Sequence, residues 1–227
     1  MKGNRLMFEN FKGAIFDMDG TLIDSLMVWD ILWKKFGKHF CQDENFAPSK
    51  EDDKAVRTMT LKGAMDYIHA RYNIGKTGSE LLEEANKIIM EFYSEQVELK
   101  DGVAEFLKYC YDKGIKMCIA SATDINLIKI AAKHCGIEKY FVNILSCADI
   151  GKGKDKPDIY IKAMESLGTT AQDTWIFEDS HIAICTADKL GIKTVGIYDK
   201  YNYGQDEIKK IATVYISEDE SLRKLVD

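Results

Sequence analysis

The chain has 227 residues, 46% hydrophobic and 30% charged, which suits one sizeable globular domain or a domain carrying a smaller insertion. A net charge of −6 gives no support to a nucleic-acid footprint or a basic membrane-facing surface. No stretch approaches the ~18 consecutive apolar residues needed to span a bilayer. The opening MKGNRLMFENFKG has no continuous apolar core and no small-residue cleavage site, so it does not read as a signal peptide, and a cytoplasmic location is expected. The six cysteines (41, 110, 118, 135, 147 and 185) form no CxxC pair and read as small, reduced, mostly buried hydrophobes. The four histidines are scattered, which argues against a histidine metal site.

In chain order, the first element is a short apolar strand in AIFDMDGTLIDS (14–25), which runs directly into Asp17 and Asp19 and then Gly20 and Thr21. From about Asp24 to Val97 no convincing strand occurs. SLMVWDILWKKFG, TLKGAMDYIHARY and SELLEEANKIIMEFYSEQV read as amphipathic helices, with Leu81, Ala85, Ile88 and Phe92 on one stripe of the last. Trp29, Trp33 and Phe36 read as packing residues, and Arg57 and Lys62 as solvated charges. After residue 100 the pattern alternates. Strands are predicted at IKMCIAS (115–121), FVNILS (141–146), TWIFE (174–178), KTVGIY (193–198) and TVYI (213–216). Between them lie the helical segments DGVAEFLKYCYDKG, DINLIKIAAKHCGI, PDIYIKAMESLG and SHIAICTADKLG, each with apolar residues at three- and four-residue spacing and a glycine at its end. Such alternation implies parallel strands joined by crossovers, an α/β doubly wound sheet interrupted by a helical insertion. The domain boundaries expected are 1–23 with 98–227 for the α/β core and 24–97 for the insertion.

In open α/β sheets ligands bind beyond the carboxyl ends of the strands. Four strand ends here are unusually polar: Asp17 and Asp19; Ser121 followed by Ala122 and Thr123; the lysine-rich GKGKDKPDIY; and Glu178, Asp179 and Ser180. Four carboxylates with lysine and hydroxyl donors suit a hard divalent cation such as Mg²⁺ together with a phosphate. The cation would explain how Asp17, Asp179 and Glu178 converge. The Gly20–Thr21 amides and the Ser121 hydroxyl can donate to phosphate oxygens. One carboxylate can attack phosphorus, and a second can protonate the leaving oxygen.

FDMDGTLIDS resembles the first motif of the haloacid dehalogenase superfamily, Asp-x-Asp-Gly-Thr/Val after a hydrophobic strand. Ser121, the lysine segment and WIFEDSHIAICTADKLGIKTVGIYD follow in the order of its remaining motifs. The helical insertion resembles the cap of the β-phosphoglucomutase-like subgroup. The resemblance implies a Mg²⁺-dependent phosphatase acting on a small phosphorylated, sugar phosphate-like metabolite through an aspartyl-phosphate. Asp17 would be the nucleophile and Asp19 the general acid and base. Asp17, the Asp19 carbonyl, Asp179 and Glu178, the last directly or through water, would bind Mg²⁺. Thr21, Ser121 and Ala122 would hold phosphate oxygens. The third motif departs from the usual Lys-Pro-x-Pro-Asp-Ile-Tyr: counting back from Asp158 picks Lys154, with Lys156 a rival and Lys152 a distant third. A hydrolase is expected, because the cap histidine and arginine of the mutase relative fall on Trp29 and near Leu61. Phosphoryl transfer of the β-phosphoglucomutase kind and a non-catalytic phosphometabolite-binding module are the alternatives. A small phosphorylated metabolite is the expected partner, with no nucleic acid and no membrane, and a monomer is the default expectation.

Overall fold

The computed structural model describes residues 10–57 and 59–226. Residues 1–9, most of the stretch read for a leader, lie outside the described residues. Contacts divide the chain into two compact units, Met1–Leu26 with Val97–Asp227, and Met27–Gln96.

The first unit is built on six parallel strands. In chain order its elements are β1 (Gly13–Phe16) and, beyond the second unit, α5 (Val103–Asp112), β2 (Lys116–Ser121), α6 (Ile125–His134), β3 (Phe141–Ser146), α7 (Cys147–Ile150), α8 (Asp158–Leu167), β4 (Thr174–Glu178), α9 (His181–Lys189), β5 (Lys193–Ile197), α10 (Gln205–Ile211) and β6 (Val214–Ile216). The second unit supplies α1 to α4. The strand order β3-β2-β1-β4-β5-β6 puts β1 in the interior of the sheet and reverses direction there. This is the doubly wound, Rossmann-like topology expected from the alternation.

Strand periodicity assigns the two faces. Ile15, Cys118, Ala120, Leu145 and Ile176 face Ile159, Tyr160, Ala163 and Leu167 of α8 and Ala183 and Ala187 of α9. The alternate residues build an aromatic layer on the other side: Phe16 stacks on Phe177 at 4.5 Å, and Phe106 of α5 lies 5.1 Å from Phe177. With both faces covered, the strands need no polar alternation, so β1 and β4 are buried throughout. The strands predicted at 115–121, 193–198 and 213–216 each prove one residue shorter.

The second unit consists of α1 (Val28–Phe36) continued by a π-helical turn (Gly37–Cys41), α2 (Lys50–Val56), α3 (Leu61–Tyr72) and α4 (Gly78–Glu95). Leu81, Ala85, Ile88 and Phe92 of α4 are buried with Leu32, Trp33 and Phe36 of α1 and Met65 and Ile68 of α3. Trp33 is packed as expected and its Nε1 donates to Asp53 Oδ1 at 2.8 Å. Arg57 departs from expectation. Its side chain is only 12% exposed, bonded to Asp53 at 2.7 Å and 3.6 Å from Asp30, because α2 brings it back over α1. Lys62 stays solvated beside Asp66. Helix α2 has no counterpart among the predicted elements. Five of its seven residues are charged, and its start is set by Ser49, whose Oγ accepts from Asp52 N at 3.1 Å. Among the described residues no helix is long and apolar enough to cross a membrane.

Candidate active site

The polar residues collect at the carboxyl ends of β1, β2 and β4, where the sheet reverses direction. Strand β1 has buried Ala14, Ile15 and Phe16, and the chain then delivers Asp17 on the edge of that core, 7% exposed. A tight turn follows, with Leu22 N and Ile23 N both bonded to Met18 O at 2.9 and 3.1 Å. Gly20 takes φ +74°, and a Cβ there would lie 2.2 Å from Asp179 Oδ2. Only glycine satisfies both the left-handed backbone and that approach.

Strand β4 ends in Glu178 and Asp179 follows it, 1% and 2% exposed. Glu178 Oε2 accepts from the N–H groups of Asp179 and Ser180 at 3.1 and 3.0 Å, which folds its carboxylate over its own turn. Thr21 Oγ1 donates to Asp179 Oδ1 at 3.1 Å, so its hydroxyl serves the carboxylate rather than an open position. Ser121, 1% exposed at the end of β2, accepts from Thr123 N through Oγ at 3.2 Å and keeps its hydroxyl proton to donate. Ala122 follows it, exposed and with no polar side-chain atom.

The three candidate lysines separate by position. Lys154 Nζ lies between two carboxylates, 2.5 Å from Asp17 Oδ1 and bonded also to Glu178 Oε1, and its side chain is 10% exposed. Lys156 is 61% exposed and 3.4 Å from Asp155, and Lys152 pairs with Asp158 at the surface. Burial acts against the Lys154 charge, but Asp17 and then Glu178 outweigh it and hold the ammonium well above its usual range.

Asp19 shows partners that the sequence reading did not assign. Ser25 Oγ donates to Asp19 Oδ1 at 2.6 Å and Thr123 Oγ1 to Asp19 Oδ2 at 2.7 Å. Both residues sit inside quoted motifs, but nothing about a serine six residues on, or a threonine 104 residues on, announces that they meet one carboxylate. The pair orients Asp19, and because hydroxyls both donate and accept, it can serve either protonation state.

Asp17, Glu178 and Asp179 each offer an oxygen within 4.8 Å of the others. Burial, more than the Glu178 and Asp19 charges and against Lys154, raises Asp17 to about 7. Burial, then the charges of Asp17 and Glu178, pushes Asp179 well above the usual carboxylate range. One lysine thus leaves this acidic group under-compensated. A further buried atom, the Tyr160 hydroxyl at the start of α8, has no hydrogen-bond partner among the described residues. An all-oxygen cluster short of positive charge, with a spare hydroxyl nearby, fits a hydrated hard divalent cation.

A family model described as haloacid dehalogenase-like hydrolase matches residues 14–197. The chain belongs to that family. Within it, the chain is 24% identical over 223 residues to a phosphorylated carbohydrates phosphatase of Thermotoga maritima, covering 94% of this chain and 98% of the relative. It is 25% identical over 223 residues to a phosphoglycolate phosphatase of Shigella boydii, covering 87% and 85%. Among solved haloacid dehalogenase-like folds, CbbY of Rhodobacter sphaeroides in complex with phosphate superposes with a TM-score of 0.75 at 16% identity, over 91% of this chain and 93% of the other.

Proposed function

We propose that this hydrolase is a Mg²⁺-dependent phosphatase of a small phosphorylated metabolite, working through a phosphoryl group carried on Asp17. The observation that supports it most is the convergence of Asp17 from the end of β1, Glu178 and Asp179 from the end of β4, and Lys154 from the loop after β3. The names of the relatives, phosphatases of phosphorylated carbohydrates and phosphoglycolate, point to the same substrate class.

Asp17 attacks phosphorus, forming an acyl-phosphate bond as the P–O bond to the substrate alcohol breaks. Asp19 gives its proton to the departing alkoxide, while Ser25 and Thr123 keep its carboxyl in place. Asp19 then takes a proton from water as that water attacks phosphorus, releasing inorganic phosphate and restoring Asp17. Lys154 balances charge on the phosphoryl oxygens, and Ser121 with the Thr21 amide donates to them, the Gly20 amide being spent on Ile23 O at 3.0 Å. Asp17, Asp179, the Asp19 carbonyl and Glu178 would hold Mg²⁺, which neutralises phosphoryl charge when bound. The helical unit is the candidate for substrate choice, with 24–97 as its proposed extent.

A screen of sugar phosphates, nucleotides and phosphoglycolate with Mg²⁺ should show stoichiometric phosphate release from at least one of them, abolished by chelator and restored by Mg²⁺. Phosphate binding without turnover at saturating Mg²⁺ would favour a binding module. With β-glucose 1-phosphate and a bisphosphate primer, accumulation of glucose 6-phosphate without phosphate release would establish a mutase instead.

The raised carboxyls also set a pH dependence. Below the unfolded value of 3.8 Asp17 is protonated in both states; between there and about 7 only the native state keeps the proton. Stability from this group is therefore lost as pH rises through that window. The metal-free protein should melt at a lower temperature near pH 8 than near pH 5, and Mg²⁺ should raise the melting temperature more at about pH 8. A Mg²⁺ effect equal at both pH values would contradict this.

A further inference from the structure

We propose that Asn202, on the loop between β5 and α10, is a positioning residue for the carboxylate of Asp179 and thereby sets the affinity of the site for its divalent cation. The inference rests on the metal-dependent reading above and adds a fifth strand end to the site. Asn202 Nδ2 donates to Asp179 Oδ2 at 2.8 Å and also to the Asp179 carbonyl at 2.9 Å. Both protons of one amide are thus spent on one residue, which fixes the carboxylate relative to its own backbone. Oδ2 is confined on its other side by Gly20, so close that no side-chain carbon fits between them. The second oxygen is held by Thr21.

The loop that carries Asn202 is itself anchored. Asn202 Oδ1 accepts from Tyr203 N at 2.9 Å, and Asn202 N donates to Asp199 O at 3.1 Å. Asp199, 3% exposed, accepts from Tyr201 N at 2.8 Å and from Lys100 Nζ at 2.9 Å. The same ammonium donates to Tyr198 O at 2.8 Å and to Gly20 O at 2.9 Å. Lys100 therefore ties the β5 loop to the turn that follows Asp17, closing a circuit from Gly20 through Lys100, Asp199 and Asn202 to Asp179. Its effect is to hold Asp179 toward Asp17 and Glu178 against their mutual repulsion.

The choice of an amide has a chemical reason. A cation at position 202 would compete with the metal for Asp179, as Lys154 competes for Asp17 and Glu178. A neutral donor orients the carboxylate and leaves its full charge for the metal. Groups that orient metal ligands commonly set affinity over about ten- to a hundredfold.

The test is calorimetric titration of the protein with Mg²⁺, alongside phosphate release as a function of Mg²⁺ concentration and a metal-free thermal melt. For Asn202→Ala, the Mg²⁺ Kd is expected to rise by about ten- to a hundredfold. The Mg²⁺ concentration for half-maximal turnover should rise in step, and turnover at saturating Mg²⁺ should recover most of the wild-type value. Asn202→Ser, which suits a turn but is too short to reach Oδ2, should behave alike and serves if the alanine variant does not fold. Wild-type Mg²⁺ affinity in a folded variant would overturn the inference alone. A wild-type protein that bound no Mg²⁺ and released no phosphate would overturn the functional reading, and this inference with it.

Discussion

Asp17→Asn is expected to abolish turnover, a loss on the order of 10⁴- to 10⁶-fold, the scale of nucleophile removal in covalent hydrolases. The substitution keeps the shape of the side chain and removes its charge. An amide oxygen is a poor nucleophile, so no phosphoryl group would be carried on residue 17. The fold should survive. Asp17 is held near 7 by burial, so a neutral amide relieves a desolvation cost and leaves Lys154 paired with Glu178. The expected signature is phosphate release at background with an undiminished melting temperature in the absence of metal. Asp19→Asn should also lower turnover heavily while leaving Mg²⁺ binding largely intact, since only its carbonyl is proposed as a ligand. Near-normal turnover by Asp17→Asn would end the covalent mechanism.

Lys154→Ala should cost on the order of 10²- to 10³-fold in turnover, the range for removing one preorganised group from developing charge. Lys156→Ala should change turnover by about twofold or less, as expected for an exposed ion pair. The physical difference is place. Lys154 is the cation that touches Asp17 and Glu178, whereas Lys156 is solvated beside Asp155. Removing Lys154 also strands buried carboxylates, so the metal-free variant should lose about 3–5 kcal/mol of stability, part of it regained with Mg²⁺. Equal effects of the two substitutions on phosphate release, or the reverse order, would remove Lys154 from the site.

Much of the molecule was legible because its signals are local. An apolar run that ends in Asp-x-Asp-Gly-Thr, strands three to six residues long and helices closed by glycine all depend on neighbours in sequence, and six parallel strands follow from their alternation. The elements that escaped were those whose local signal is weak or misleading. Helix α2 is short and mostly charged, and α10 is a seven-residue segment after a tyrosine-rich turn.

What the sequence by itself determined is therefore the order of strands and helices, the insertion after β1 and the set of polar residues at the strand ends. Tertiary structure decided which of those residues meet. Lys152, Lys154 and Lys156 stand two residues apart in one loop, and only the path of that loop buries one of them between Asp17 and Glu178. Ser25 and Thr123 reach Asp19 from 6 and 104 residues further along the chain, and Asn202 reaches Asp179 from the next strand end. Arg57, read as a solvated charge, is enclosed because Asp30 and Asp53 come to it from two helices. Backbone preferences and apolar periodicity act over a few residues and leave a pattern in the string. The pairing of polar groups is set by packing of the elements that carry them, and their spacing along the chain holds no trace of it.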